Sequence, residues 1–96
     1  MSVLSITTFR LAQGVADDAF LASDATCQSD FAYQQAGLLR RTTARTDLDW
    51  LVLEQWASLA DAELADEAAL HHAAALACAA LVDPASVQRR RFTTLD

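Results

Sequence analysis

The residues of this sequence best suited to acid–base chemistry near neutral pH are its two histidines, His71 and His72. Imidazole is the only side chain whose ordinary pKa lies close to neutrality. At helical spacing, His71 falls one turn after Glu67 and near the edge of an apolar stripe, whereas His72 points farther toward solvent. If the helix breaks here, His71 could reach the mouth of a pocket and act as a general base. The alternative is that both histidines are surface or capping residues.

One carboxylate, that of Asp24, interrupts an apolar helical stripe formed by Ala16, Phe20, Cys27 and Phe31. A buried carboxylate without a partner is destabilising. We therefore expect Asp24 either to pair with an arginine of the sheet or to have a raised pKa. Either arrangement could serve a binding pocket, and a purely structural ion pair is the alternative.

The seven arginines all fall on segments predicted as strands, while the predicted helices carry acidic charges and no arginine. A guanidinium group stays charged at physiological pH, and its N–H donors suit a carboxylate or phenolate. Arg41 and Arg90 are therefore candidates for holding an anionic ligand. The alternative is that the arginines pair structurally with carboxylates such as Glu54, at a rim or across an interface.

The pattern of apolar residues predicts strands and helices in the order βαββαβ. Strands are expected over 3–11, 38–46, 50–57 and 87–95, and a first helix over 16–35. A second helix should begin after Ser58, because Ser58 and Asp61 resemble a capping box. It should run to about residue 81, either without interruption or with a break near the histidines. The side chains expected to be buried on this helix are Leu59, Ala62, Leu70, Ala73, Ala77 and Leu81.

Both faces of the predicted sheet carry apolar side chains. On the first strand, Val3 and Phe9 alternate with Leu4 and Ile6, and the third strand alternates in the same way. Two helices cover only one face, and each large apolar side chain left exposed on the other costs about 1.5–3 kcal/mol. We therefore expect a second copy of the chain to cover this face in a homodimer. The alternative is a monomer whose strands are merely hydrophobic.

Several groups of residues together resemble a known family. They are Phe20, Asp24, Cys27 and Phe31, then the runs 37–41 and 50–58, and the Asp-Pro-Ala-Ser-Val segment at 83–87. Over nearly the whole chain they resemble the dimeric α+β barrel proteins, most closely the antibiotic biosynthesis monooxygenase-like branch. The resemblance implies one α+β domain over residues 1–96, a ferredoxin-like protomer whose four-stranded antiparallel sheet pairs with a partner's sheet. It also implies a pocket between the sheet and the helices.

Members of this branch include cofactor-free oxygenases of polycyclic phenols, haem-degrading oxygenases, isomerases and cyclases. The resemblance therefore implies a small aromatic or polyketide-like ligand and no bound cofactor or metal. It places Trp56 where the oxygenases have a tryptophan that lines the pocket. Thr7 and Thr8 stand where the haem-degrading members have an asparagine, so Thr8 is a further candidate for binding.

This sequence departs from the oxygenases in one respect. It contains no asparagine, and Val52 stands four residues before Trp56, where the phenol-oxidising members have theirs. A threonine hydroxyl lacks the paired donor and acceptor of an amide. The departure leaves open a second function, that of a non-catalytic ligand-binding or stress-associated dimer with the same fold.

Composition excludes other classes of function. The net charge of −6 opposes binding to nucleic acid or an anionic membrane. No lysine is present for Schiff-base chemistry. Cys27 and Cys78 form no metal-ligand motif and are expected to be inert, small hydrophobic residues. Because no segment is typical of a membrane span or a signal peptide, we expect a cytoplasmic protein.

Overall fold

The predicted succession of strands and helical segments is present in the computed structural model, which describes residues 1–96. The strands are β1 (Val3–Phe9), β2 (Leu38–Thr46), β3 (Asp49–Trp56) and β4 (Gln88–Thr93). The helices are α1 (Asp17–Asp30), α2 (Leu59–Ala69) and α3 (Ala73–Ala79), and 3₁₀ turns lie at Ala32–Gln34 and Pro84–Ser86.

The four strands form one antiparallel sheet in the order β2-β3-β1-β4, which is the ferredoxin-like order. Successive side chains of β1 alternate between the two faces, as the period of a strand requires. Val3, Ser5 and Phe9 are buried, whereas Leu4 and Ile6 are only partly buried. The predicted α+β, ferredoxin-like fold class is confirmed.

Two apolar clusters fill the space between the sheet and the helices. The larger cluster contains Phe9, Phe20, Cys27, Phe31, Ala32, Trp50 and Cys78, and the smaller contains Trp56, Ala62 and Ala65. A polar row crosses the sheet between them, because Arg41 pairs with Glu54, Glu54 with Ser5 and Ser5 with Arg91 on successive strands. Arg91 Nε donates a hydrogen bond of 2.8 Å to the hydroxyl of Ser5, which is 1% exposed.

Helix α1 is shorter than the sequence predicts, since it ends at Asp30 rather than at residue 35. It begins with Asp17 and Asp18, whose negative charges are favourable at the positive end of a helix. Of the predicted apolar stripe, Ala16 lies outside the helix and is exposed, while the remaining positions, Phe20, Cys27 and Phe31, are buried.

The turn from α1 into β2 depends on Gly37. Its φ of +85° lies in the left-handed region, where a side chain is strained. A Cβ atom at this position would also run into the side chain of Asp61 on α2. Glycine therefore allows β2 to begin directly beneath the first turn of α2.

The second helical segment is broken between α2 and α3, at residues 70–72. Ser58 caps α2 as predicted, because its hydroxyl accepts a hydrogen bond of 3.1 Å from the backbone N–H of Asp61. The Asp61 carboxylate accepts a hydrogen bond from the Ser58 hydroxyl rather than from its backbone N–H, so the capping box is only half formed. His72 caps α3, since its Nδ1 accepts a hydrogen bond of 3.1 Å from the backbone N–H of Ala74.

This break makes much of the predicted buried stripe wrong. In an uninterrupted helix, each side chain is rotated by a constant angle from the one before it. An irregular segment changes that rotation, so the residues after it point in directions that the spacing does not predict. Of the stripe residues in or after the break, Leu70, Ala73 and Ala77 are exposed. Leu59 is also exposed, but it lies before the break, at the start of α2. The residues that these helices bury are Ala62, Ala65 and Cys78.

The sheet face opposite the helices, called here the open face, is largely apolar at its centre. Its large apolar side chains are Leu4, Ile6, Leu51, Leu53 and Phe92, none of which is buried. Phe92 is 39% exposed, and the guanidinium carbon of Arg90 lies 4.8 Å from the centre of its ring. Within a single chain, nothing covers this face.

Candidate ligand-binding site

An apolar cavity of about 330 Å³ lies between the sheet and helices α1 and α3. Nine of its 13 lining residues are hydrophobic, and its volume falls in the range of small-molecule sites, about 300–1,000 Å³. The lining residues are Thr7, Phe9, Arg41 and Val52 on the sheet, Phe20, Asp24 and Cys27 on α1, Ala75, Cys78 and Ala79 on α3, and Val82, Pro84 and Val87 beyond it.

A larger depression, of about 630 Å³, lies at the end of the sheet near Arg10 and Asp83. Only two of its nine lining residues are hydrophobic. Small-molecule sites are lined mainly by apolar side chains with a few convergent polar groups. The cavity between the sheet, α1 and α3 meets that description, so it is the candidate site.

The charged groups of this cavity form a buried ion pair. Arg41 Nη2 donates a hydrogen bond of 2.7 Å to Asp24 Oδ1, and the Thr43 hydroxyl donates one of 2.7 Å to Asp24 Oδ2. The side chains of Arg41 and Asp24 are 6% and 8% exposed. Of the two arrangements expected for Asp24, the pair with an arginine of the sheet is therefore the one present.

Arg41 is held by more than one acceptor. Its Nε lies 3.4 Å from Glu54 Oε2, and its Nη1 donates a hydrogen bond of 3.1 Å to Gln28 Oε1. Burial alone lowers the pKa of Arg41, but the hydrogen bond to Asp24 and the charges of Asp24 and Glu54 outweigh it, so the pKa is raised. The guanidinium group is therefore a permanent positive charge in the cavity wall.

Glu54 sits on the sheet next to Arg41, toward the smaller apolar cluster. Burial raises the pKa of its carboxyl group, and the positive charges of Arg41 and Arg89 offset this only in part. The folded chain thus binds a proton at Glu54 more tightly than the unfolded chain does.

This shift predicts a pH dependence of stability. A carboxyl group with a raised folded-state pKa stabilises the fold below its unfolded pKa, and that contribution is lost as pH rises through the folded pKa. We expect Glu54→Gln to remove this contribution, so that the free energy of unfolding falls less, or rises more, than that of wild type as pH rises above 4.5. Urea denaturation at a series of pH values measures this. Glu63→Gln, at an exposed position on α2, is the control, and a Glu54→Gln profile parallel to wild type would contradict the prediction.

Two free, buried thiols contribute to the cavity wall, Cys27 on α1 and Cys78 on α3. The pKa of Cys27 is lowered, chiefly because the Cys78 thiol donates a hydrogen bond to its sulfur, although burial opposes the effect. The same hydrogen bond, together with burial, raises the pKa of Cys78. Both side chains are buried, in keeping with the prediction that they are small hydrophobic residues.

Solved structures resemble this chain over nearly its full length. SnoaB, a cofactor-independent oxygenase from Streptomyces nogalater, superposes with a TM-score of 0.75 at 22% identity, covering 99% of this chain and 94% of its own. A Bordetella bronchiseptica protein provisionally assigned as an antibiotic biosynthesis monooxygenase gives a TM-score of 0.80 at 11% identity, covering 98% and 97%. PA3566 from Pseudomonas aeruginosa gives 0.70 at 20% identity, covering 99% and 95%.

The chain shares the fold of these three proteins. The predicted resemblance is thus confirmed at the level of the fold. No protein-family model matches the sequence, and comparison with curated proteins finds no match. None of the helices has the length and apolar character needed to cross a membrane. No group of three or more histidine, cysteine, aspartate or glutamate side chains is placed to hold a metal ion.

The histidine proposed as a base lies away from the cavity. The side chain of His71 is 73% exposed, and its Nε2 lies 3.4 Å from Glu67 Oε1 on the preceding turn. The ring of His72 packs 5.1 Å from that of Phe31 and caps α3. The helix does break at this point, but the break leaves His71 pointing to solvent rather than to the cavity.

Three other candidates from the sequence also lie outside the cavity lining. Thr8 and Arg90 lie on the open face. Each is next in sequence to residues that face the helices, and neighbouring side chains on a strand point to opposite faces. Trp56 is 3% exposed within the smaller apolar cluster, and its Nε1 has no hydrogen-bond partner. Of the six candidates, the structure brings only Asp24 and Arg41 together in the cavity.

Some cavity residues were not singled out as site residues from the sequence. Thr43 orients Asp24, and strand alternation places it on the same face as Arg41, two residues earlier, so its position could have been found. Ala75 and Ala79 carry no chemical signal in the sequence. They line the cavity because of the rotation of α3 about its own axis, and that rotation depends on the break between α2 and α3.

Proposed function

We propose that this chain binds a small, flat, hydroxylated aromatic molecule in the cavity and acts as a cofactor-independent oxygenase. The single observation that carries the proposal is the apolar cavity of about 330 Å³ with one buried carboxylate–guanidinium pair, Asp24 and Arg41, in its wall. The similarity in fold to SnoaB, which is a cofactor-independent oxygenase, supports the reaction class.

The apolar lining accounts for the ring of the ligand. Val52, Val82 and Phe20 present hydrocarbon surfaces from the sheet, the loop after α3, and α1. Burying an apolar ligand surface there contributes about 25 cal/mol per Å² removed from water. A ring without polar groups would leave Asp24 and Arg41 without a ligand contact, so we expect a substituent that can interact with both.

A phenolic or enolic hydroxyl meets this requirement. An ionised carboxylate only accepts hydrogen bonds, so Asp24 would accept the hydroxyl proton. When that proton moves to Asp24, the negative charge passes to the ligand oxygen beside Arg41, and the total charge of the cavity does not change. The guanidinium group therefore stabilises the ligand anion as it forms. In a cofactor-independent oxygenation, this electron-rich anion is the species that reacts with dioxygen.

A second candidate is a ligand-binding protein that performs no reaction. It is favoured by the position of His71, which is exposed and outside the cavity lining. Without an imidazole near the ligand, proton transfer depends on Asp24, whose carboxylate is already occupied by Arg41 and Thr43. Such a site could hold a hydroxylated ring without deprotonating it.

A binding experiment with a paired variant tests both candidates. The probe is a hydroxynaphthoquinone, with affinity measured by thermal shift and oxygen uptake by an electrode. We expect Ala79→Phe, which places a ring in the cavity lining, to weaken binding by at least about tenfold, or about 1.4 kcal/mol. Ala77→Phe, at an exposed position of α3 outside the lining, should bind as wild type does.

The outcomes separate the alternatives. Binding accompanied by oxygen uptake, both lost in Ala79→Phe, supports the oxygenase. Binding without oxygen uptake supports the ligand-binding protein. Equal binding by wild type and Ala79→Phe contradicts the assignment of the cavity as the site.

We also propose that the protein is a homodimer whose two sheets pack together through their open faces. The supporting observation is the set of five large apolar side chains on that face, none of them buried by the chain itself. Monomeric soluble proteins rarely leave contiguous apolar surface of this kind in water. The cavity lies on the opposite side of the sheet, so dimerisation leaves its lining intact.

A further inference from the structure

The proposed ligand site is one end of a charge network on the helix side of the sheet. The network contains three arginines and three carboxylates, which are Asp24, Arg41, Glu54, Arg91, Asp66 and Arg89. Ser5 lies between Glu54 and Arg91, because it pairs with both across the sheet. The charges of the ionised network cancel, and of its members only Asp24 and Arg41 line the cavity. An anion that enters beside them adds a negative charge that nothing in the network balances.

The three carboxylates of this network are held unequally. Asp24 accepts a hydrogen bond of 2.7 Å on each of its two oxygens. Asp66 accepts three, of 2.8–2.9 Å, from the two arginines of β4. Glu54 has one ionic contact, of 3.4 Å, between its Oε2 and Arg41 Nε. Hydrogen bonds to an ionised carboxylate stabilise its charged form, so Glu54 is the member of the network that takes up a proton at the least cost.

We infer that an anionic ligand enters the cavity together with a proton from solvent, which binds to the carboxylate of Glu54. The inference rests on the proposed function and adds the regulation of that site by pH. The proton balances the charge of the anion, because an uncompensated charge in the interior is strongly destabilising. It also ends the ion pair between Glu54 and Arg41, so the guanidinium group is available to the ligand.

The surroundings of Glu54 favour this exchange. Burial raises the pKa of its carboxyl group, and the negative charge of Asp66 on α2 acts in the same direction. The positive charges of Arg41 on β2 and Arg89 on β4 offset these effects only in part. Its neighbour on β1 is Ser5, which carries no charge. Glu54 lies outside the cavity lining and acts on the ligand through Arg41, so it is a positioning residue rather than a catalytic one.

The form in which the ligand enters decides where the proton comes from. A neutral hydroxyl brings its own proton, which Asp24 accepts from it directly. An anion brings none, so the chain takes a proton from solvent. Glu54 receives it because its side chain is 24% exposed, against 8% for Asp24, and because no short hydrogen bond to it has to break.

The test uses 2-hydroxy-1,4-naphthoquinone, a vinylogous acid that is ionised from about pH 5 upward. Since coupling between a proton and a ligand is reciprocal, an anion that promotes protonation of Glu54 must bind more weakly as that proton becomes scarce. We expect the affinity of wild type for the probe to fall at least about tenfold between about pH 5 and pH 8. Calorimetry in two buffers of different ionisation enthalpy should show net proton uptake on binding over the same range.

Glu54→Gln identifies the group that takes up the proton. This variant lacks the negative charge at every pH, so at about pH 8 it should bind the probe at least about tenfold more tightly than wild type. Its proton uptake should be lost, whereas protons exchanged by the histidines would remain. Loss of packing alone would not produce a gain in affinity. Glu63→Gln, at an exposed position of α2, is the matched control and should behave as wild type does.

The outcomes distinguish this inference from the proposed function. Binding to wild type that does not depend on pH, or proton uptake that persists in Glu54→Gln, would overturn the inference and leave the ligand site in place. No binding at any pH would contradict the ligand site and the inference together. Circular dichroism shows whether Glu54→Gln is folded. If it is not, carbon-13 NMR of the wild-type carboxyl groups, with and without the probe, identifies the protonated group, and any group other than Glu54 would overturn the inference.

Discussion

Replacing Arg41 with methionine is expected to lower the free energy of unfolding by about 3–5 kcal/mol, because breaking a buried ion pair leaves an uncompensated charge in the interior. Arg41 lies 2.7 Å from Asp24 and 3.4 Å from Glu54, and its side chain is only 6% exposed. Methionine preserves much of the aliphatic stem but none of the donors. Urea denaturation, followed by the fluorescence of the buried Trp50 and Trp56, measures the loss.

Arg45→Met is the matched control for this prediction. Arg45 lies four residues later on the same strand and face, and it pairs with Asp17 at the surface, with its side chain 46% exposed. An exposed ion pair contributes about 0–1 kcal/mol, so this variant should lose no more than about 1 kcal/mol. Equal losses in the two variants would show that burial does not determine the role of Arg41.

A double variant separates loss of the pair from loss of packing. If the cost of Arg41→Met comes from the stranded carboxylate, adding Asp24→Leu removes that carboxylate and should recover part of the stability. A double variant less stable than Arg41→Met alone would contradict this explanation. Arg41 and Asp24 also line the proposed ligand site. The stability of these variants should therefore be measured before their ligand binding or activity is compared with wild type.

Leu53→Arg is expected to convert the proposed homodimer into a folded monomer. Leu53 lies on the open face, where it pairs with Ile6 on one neighbouring strand and Thr42 on the other. An arginine there would place a charge without a partner in the apolar interface of both subunits. Light scattering at dilute concentration should report about 21 kDa for wild type, twice the chain mass of 10.4 kDa, and the chain mass for the variant.

The control for this experiment is Leu64→Arg. Leu64 is 69% exposed on α2, on the helical side of the sheet, so an arginine at this position should leave the dimer unchanged. Circular dichroism establishes that both variants are folded. A wild-type mass of one chain would contradict the homodimer, and a Leu53→Arg dimer would show that copies associate through another surface.

Local patterns in the sequence predicted the fold because they depend on neighbours along the chain. Alternation on β1 separates Val3 and Phe9 from Leu4 and Ile6, and the structure preserves that separation. The position of Asp24 within an apolar stripe required a partner, which the structure shows to be Arg41. The period of the strand was enough to predict the two faces of β1. The period of the helix and the cost of burying a charge were enough to predict that Asp24 has a partner.

The candidate site could be predicted only in part. Asp24 was found because burial imposes a requirement on a charge, whereas Arg41, Arg90 and His71 were chosen for their chemistry alone. The structure places His71 on the surface and Arg90 on the open face. Chemical type does not determine which side of an irregular segment a side chain occupies.

The sequence by itself determined the order of strands and helices, the apolar character of both sheet faces, and the need of Asp24 for a partner. Only the tertiary structure decided the phase of α3 after the break, and with it which residues line the cavity. The physical reason is that periodicity acts over a few residues, whereas a cavity depends on the relative rotation of helices that are distant in the chain.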